Sequence, residues 1–185
     1  MILSDMLKMF CGEGPIVAAE IGIEHGTSAM AMIQNYESIE QYYCIDPWRG
    51  RDEKYERVKV LLESTGKATV LRMTSDEAVN HVPNNLDFVY IDGDHSYEQV
   101  LRDLENWVPK IRSGGIISGH DWCKFEIGVV EAGTEYFPKN DHLFKPIFSD
   151  KELKEMGLGM WRVGCRGYLN KRRHSGHPSW FRIKK

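Results

Sequence analysis

The stretch from Leu86 to Trp122, LDFVYIDGDHSYEQVLRDLENWVPKIRSGGIISGHDW, constrains the fold of this chain more than any other. Leu86 to Ile91 is a short β-branched and aromatic run of the kind buried inside a parallel sheet. It stops at Asp92-Gly93-Asp94-His95. Ser96, with Gln99 three residues on, has the pattern of a capping box worth about 1 kcal/mol. Val100, Leu101, Leu104, Trp107 and Val108 then recur at helical spacing and give one apolar face. Pro109 and Gly114-Gly115 end that helix. Ile116-Ile117-Ser118 reads as a second strand, stopping at Gly119-His120-Asp121. A strand, a crossover helix and a strand of this length form a βαβ unit with parallel strands. Asp92 and His120-Asp121 therefore emerge at the same carboxyl edge, where open α/β sheets bind ligands.

The rest of the chain repeats this layout. Met1 to Phe10 reads as an amphipathic helix, broken by Gly12 to Pro15. Ile16 to Ile21 is strand one, followed by the loop Gly22 to Ser28 and a helix to Asn35. Such a glycine loop lets backbone N–H groups approach a ligand. Gly22 and Gly26 are four apart, so the G-x-G-x-x-G fingerprint of dinucleotide sites is absent. A nicotinamide-dependent dehydrogenase is correspondingly disfavoured. Glu20 repels a pyrophosphate and suits a ligand with a positive end. Gln41 to Asp46 is strand two, closed by Asp46-Pro47-Trp48. An acid there suits ribose hydroxyls, or caps the next helix; Trp48 either stacks on a base or belongs to the core. Asp52 to Ser64 reads as a helix and Ala68 to Arg72 as strand three, with Met73 to Ala78 a third loop at the same edge. Ile127 to Phe137 reads as a helix. Strands are expected at Leu143 to Phe148 and Gly159 to Val163, with a short helix at Lys151 to Met156. Arg166 to Leu169 is a further strand candidate, and the remainder is loop or tail.

With 42% apolar residues the chain supports one domain, residues 1–185, with a core at about 12–165 and a basic tail at about 171–185. Without an 18-residue apolar run or a signal-peptide pattern, no membrane partner is expected. Cys11, Cys44, Cys123 and Cys165 lie scattered and read as reduced thiols of a cytoplasmic protein. The net charge of −3 is uneven: no acid follows Glu155, while eight Lys and Arg do. Such a tail is suited to phosphates, but the favoured reading is that it folds back on its own acidic domain or stays solvated.

Taken together, strand–Glu20-x-Gly22-x-x-x-Gly26-x-Ser28, strand–Asp46, Ser75 and strand–Asp92 resemble the class I S-adenosylmethionine-dependent methyltransferases. More narrowly, Asp92 to Glu98 and Gly114 to Asp121 are similar to the group of macrocin O-methyltransferase and cephalosporin hydroxylase-like proteins. The resemblance covers Ile16 to Trp122. It implies a Rossmann-like, doubly wound α/β fold with seven strands in order 3-2-1-4-5-7-6, the last antiparallel. It implies S-adenosyl-L-methionine as cofactor, with Glu20, Gly22 and Ser28 at its methionine end, Gly26 and Thr27 in the same loop, and Glu20 facing the ammonium. Asp46 would take the ribose hydroxyls, and Thr74 and Ser75 would lie by the adenine. By the pattern of metal-dependent relatives, Asp92, His120 and Asp121 would bind a divalent cation such as Mg²⁺, and His95 would be the general base.

Two departures from that pattern stand out. His120 is a nitrogen donor where such relatives use oxygen, so either Asp121 alone ligates from this strand, the metal is softer, or His120 is a second acid/base group. Little precedes strand one, where relatives carry helices that roof the substrate, so the pocket is either open or completed by a partner subunit, for which a homo-oligomer would serve. Asp94 reads as a surface turn residue and His25 as solvent-facing. His81, His142, His174 and His177 read as surface residues, and Trp122 packs by the site or lines the acceptor pocket. The expected function is methyl transfer to a hydroxyl of a small molecule, a sugar or natural product. The alternatives are a nucleic acid or phosphorylated glycan acceptor held by the basic tail, or a non-catalytic cofactor-binding module.

Overall fold

A computed structural model describes Leu7, Cys11 and residues 14–123, 125–143, 159–160, 168–169 and 180–185. Its strands are β1 (Ile16–Ile21), β2 (Ile39–Ile45), β3 (Ala68–Leu71), β4 (Leu86–Ile91), β5 (Ile111–Gly119), β6 (Gly159–Met160), β7 (Tyr168–Leu169) and β8 (Trp180–Ile183). Its helices are α1 (Thr27–Asn35), α2 (Asp52–Glu63), α3 (Ser75–Ala78), α4 (Tyr97–Trp107) and α5 (Ile127–Lys139). The main sheet runs β3-β2-β1-β4-β5-β8. Its first five strands are parallel and β8 is antiparallel to β5.

Alternation along the strands sends side chains to two separate cores. Ala18, Tyr42, Cys44, Phe88 and Ile116 pack on one face with Met32, Ile33, Val58 and Leu62 from α1 and α2. Ala19, Ile45, Val89 and Ile117 pack on the other with Val100, Leu104 and Trp107 of α4 and Phe137 of α5. Helices thus cover both faces, as in a doubly wound sheet. Burial of each large apolar side chain, Leu104 for instance, contributes about 1.5–3 kcal/mol.

The sheet has six strands among the described residues, which corrects the expected seven in order 3-2-1-4-5-7-6. The segments β6 and β7 leave the main sheet and pair with each other. The place beside β5 goes to β8, which lies in the stretch read above as loop or tail. All four of its residues are buried, so it lacks the period-2 alternation by which an edge strand is recognised. Arg182 interrupts it chemically, yet is 3% exposed with its guanidinium 4.8 Å from the Phe137 ring centre, a cation–π arrangement. Lys184 donates to the Ile111 carbonyl at 2.6 Å. These two charges of the tail are spent inside the domain, in keeping with the fold-back reading.

Other expectations meet the described residues in part. Leu7 and Cys11 are helical and Leu7 is fully buried; the rest of the Met1 to Phe10 helix lies outside the described residues. Leu143 ends a 3-10 turn, Asp141–Leu143; the rest of the expected Leu143 to Phe148 strand lies outside the described residues. The Lys151 to Met156 helix lies outside the described residues.

The capping box is also found elsewhere. Ser96 makes no side-chain cap to α4. Its own N–H donates to Asp94 Oδ1 at 2.8 Å, and Gln99 turns instead to Ser75 Oγ, 3.1 Å away. The reciprocal box sits at α3, where Thr74 and Glu77 cap each other. We therefore expect Thr74→Ala to cost about 1 kcal/mol, or about 2–4 °C in Tm, whereas Ser96→Ala leaves Tm within about 1 °C. Thermal unfolding of the two variants separates these positions.

Candidate active site

Backbone hydrogen bonds carry the sheet ladder one step past the ends of four strands. Asp46 N–H donates to Leu71 O, Gly22 N–H to Ile45 O, Asp92 N–H to Ile21 O and His120 N–H to Ile91 O, at 2.8–3.2 Å. The strand-end residues Leu71, Ile45, Ile21, Ile91 and Gly119 are in register across the sheet. Four loops therefore start from one row, and their side chains open into one cleft of about 1060 Å³. That is the upper end of the range for small-molecule sites. The candidate site residues named above line it except Gly26 and Trp122, and Trp122 is buried in the core against Trp180. Gly26, at φ 76°, caps α1 and instead packs toward Val58 and Leu62.

At one end lies Glu20, 1% exposed and accepting the Tyr42 hydroxyl at 2.7 Å. Burial, with the nearby Asp92 charge adding, raises its carboxyl to about 8 against the lowering effect of Tyr42 and Ser28. A buried carboxyl of this kind is stabilised by a cationic ligand. Because its folded value exceeds its unfolded one, its contribution to stability is full below about 4.5 and is lost as pH rises through about 8. The ligand-free protein should therefore lose about 4 kcal/mol from this group between those limits, and Glu20→Gln should flatten that part of the curve of Tm against pH. A variant with unchanged slope would contradict the burial argument.

The Asp46 carboxylate is already engaged with its own loop, accepting the N–H groups of Glu24 at 2.9 Å and Trp48 at 2.7 Å. Trp48 is 1% exposed, lies 5.4 Å from the Tyr55 ring centre and donates its indole N–H to Glu24 O. Its environment is that of a core residue reaching the cleft. Ser75 donates to Asp103 Oδ1 at 2.6 Å. Asp103 is 1% exposed, and burial raises its carboxyl to about 6 against the bonds from Ser75 and Gln99.

At the opposite end, two imidazoles meet two carboxylates. His95 Nε2 lies 3.2 Å from Asp121 Oδ2 and 3.8 Å from Asp92 Oδ1. His120 Nδ1 lies 3.0 Å from Asp121 Oδ1 and 3.7 Å from Asp92 Oδ1. Asp121 is 6% exposed at φ 57°, a left-handed turn that aims its side chain back at the loop of Asp92. His95 Nδ1 faces Glu126 Oε2 at 3.2 Å. The Asp92 carboxylate foremost, with Asp121 and Glu126, raises His95 to about 9 against partial burial. It therefore holds a proton at neutral pH. Asp92, His95 and Asp121 offer ligand atoms all within 4.8 Å of one another. His95 belongs to this group by spacing, and His120 flanks it.

Sequence reasoning missed Tyr42, Asp103 and Glu126. Asp103 carried a signal: it lies three residues after Val100 and four before Trp107, on the apolar stripe of α4. Glu126 carried none, because its approach to His95 comes from the packing of α5.

A family model described as a methyltransferase domain matches residues 19–122. An uncharacterized protein of Acanthamoeba polyphaga mimivirus is 32% identical over 129 residues, 65% of this chain and 58% of that one. An uncharacterized protein of Sinorhizobium fredii is 27% identical over 155 residues, 77% of this chain and 14% of that one. The chain thus spans less than two thirds of these curated relatives. Among solved structures, a precorrin-6y C5,15-methyltransferase from Geobacter metallireducens superposes with a TM-score of 0.63 at 12% identity, covering 98% of this chain and 87% of that one. A spermidine synthase from Thermotoga maritima gives 0.59 at 15%, covering 100% and 59%. With more than half of its length matched by that model, from β1 through the turn after β5, the chain belongs to the methyltransferase-domain family and has the class I S-adenosylmethionine-dependent fold.

Proposed function

We propose that this protein transfers a methyl group from S-adenosyl-L-methionine to a hydroxyl of a small molecule, a sugar or natural product. The observation that carries the reading is the polarity of the cleft. One end holds a buried carboxyl suited to the cofactor's ammonium, and the other gathers Asp92, His95, His120 and Asp121. The narrower resemblance to macrocin O-methyltransferase points the same way.

In the reaction the acceptor oxygen attacks the methyl carbon, the carbon–sulfur bond of the sulfonium breaks, and the hydroxyl proton leaves to a base. Alignment of acceptor and methyl carbon contributes about 7–11 kcal/mol. Glu20 orients the amino-acid end of the cofactor, and Asp46 borders the ribose position. Asp92, His95 and Asp121 fit a divalent cation by donor type and spacing, with His120 beside them. Such an ion, when bound, lowers the pKa of an acceptor hydroxyl. His120, within 4 Å of both carboxylates, is the proton-handling group beside a bound ion, and His95, equally within 4 Å of both, serves as one when no ion holds its Nε2. His95 can take up a proton only after giving up the one it already holds.

Formation of S-adenosylhomocysteine with a panel of hydroxylated sugars and phenols tests the reading. We expect turnover with some member and loss of about 10²–10⁴-fold in kcat for His95→Ala. Turnover confined to nucleic acid acceptors would overturn the small-molecule assignment.

A further inference from the structure

We propose that Asp92, His95 and Asp121, with Glu126 behind His95, form a site for a divalent first-row transition ion in preference to Mg²⁺. This deepens the methyltransferase reading by naming the ion class and the nitrogen ligand. Metal bonds of about 2.1 Å set neighbouring ligand atoms about 3.0 Å apart in an octahedron and about 3.4 Å in a tetrahedron. His95 Nε2 stands 3.2 Å from Asp121 Oδ2 and 3.8 Å from Asp92 Oδ1, and the three ligand atoms all lie within 4.8 Å of one another, so side-chain rotation closes them around one ion. The other Asp121 oxygen faces His120 Nδ1 at 3.0 Å. That contact leaves His120 supporting the carboxylate from outside the set.

The ring of His95 is held for this task. Glu126 Oε2 lies 3.2 Å from Nδ1. A carboxylate there accepts a hydrogen bond from Nδ1–H and so fixes the tautomer that leaves the Nε2 lone pair for a metal, as behind many metal-bound histidines. The backbone locks the pair together. A Cβ on Gly128 would lie 2.3 Å from the His95 carbonyl oxygen and 2.6 Å from the Tyr97 nitrogen. The first turn of α5 therefore packs directly on the chain at His95, and Glu126, at the N-cap position of that helix with its side chain not used as a cap, is fixed beside the imidazole. One nitrogen with two carboxylates suits Mn²⁺, Fe²⁺ or Co²⁺, whereas Mg²⁺ favours oxygen alone. Three protein ligands leave coordination positions open for the acceptor.

The test is titration of the chelator-stripped full chain with Co²⁺, followed by visible absorption and calorimetry, beside Mg²⁺ and beside S-adenosylmethionine. We expect one Co²⁺ per chain, bound on the order of 100-fold more tightly than Mg²⁺. Glu126→Gln, which keeps the size of the side chain, should weaken Co²⁺ by about 10–100-fold. His95→Gln should weaken it further, and His120→Gln should leave it nearly unchanged. On bound Mn²⁺, nitrogen coupling in pulsed electron paramagnetic resonance should persist in His120→Gln and vanish in His95→Gln. Circular dichroism confirms that each variant is folded. The reverse pattern of nitrogen coupling, or equal affinity for Mg²⁺ and Co²⁺, would overturn the assignment. Binding of S-adenosylmethionine without any metal binding would sink this site and leave the methyltransferase reading standing. Co²⁺ bound through His95 without cofactor binding would do the opposite.

Discussion

Gly22→Ala is expected to destabilise the protein by about 3 kcal/mol or more and to abolish cofactor binding in whatever fraction still folds. Gly22 has φ 89°, and a Cβ there would lie 1.9 Å from the Asp92 carbonyl oxygen and 2.7 Å from the Gly93 Cα. Both obstructing groups are backbone, so no rotamer change relieves the clash. The loops after β1 and β4 cross at this point, and relief requires pulling them apart. That movement would break the Asp92 N–H bond to Ile21 O and displace Asp92 from His95. Gly50→Ala is the control: Gly50 also has positive φ, at 66°, but a Cβ there meets nothing within 4 Å. It should cost only the backbone strain, about 1–2 kcal/mol. Denaturant unfolding of the two variants measures the difference, and equal losses would show that the crossing of loops is not tight.

Asp121→Asn is expected to lower kcat by about 10²–10⁴-fold while leaving S-adenosylmethionine affinity nearly unchanged. Asn tolerates the left-handed backbone found at Asp121, so the turn survives and only the charge is removed. Asp121 touches His95 on one oxygen and His120 on the other. Loss of that charge should also draw the His95 pKa down from about 9 toward its ordinary value. Titration of the imidazole by nuclear magnetic resonance provides a readout independent of turnover. An unmoved His95 with full activity would remove Asp121 from the mechanism.

Much of this site was legible because it is built on the simplest feature of the fold. Buried strands are β-branched runs, and in β1, β2, β4 and β5 each run stops at a glycine or an acid. Parallel connection puts all those stops on one edge, so Glu20, Asp46, Asp92 and Asp121 follow from spacing and topology. What remained hidden depends on contacts distant in sequence. Glu126 reaches His95 only because Gly128 lets α5 settle on the chain there. The strand β8 lacks alternation, since both of its faces are covered, and Arg182 disguises it as part of a basic tail. Ser96 and Gln99 match a capping box in type and spacing, but Asp94 takes the Ser96 N–H and the buried Asp103 draws Gln99 away. Local propensity there yielded to a buried acid's demand for partners.

The central claim is that this cleft binds S-adenosylmethionine with its ammonium at Glu20. Calorimetric titration of the cofactor into the folded, cofactor-free protein at pH 7, repeated in buffers of different ionisation enthalpy, tests it most directly. Glu20 is mostly protonated at that pH, and pairing with an ammonium requires the carboxylate. Saturable binding with release of about one proton per site is expected, and loss of that release in Glu20→Gln. Absence of binding, or binding with no proton released by the wild-type protein, would contradict it.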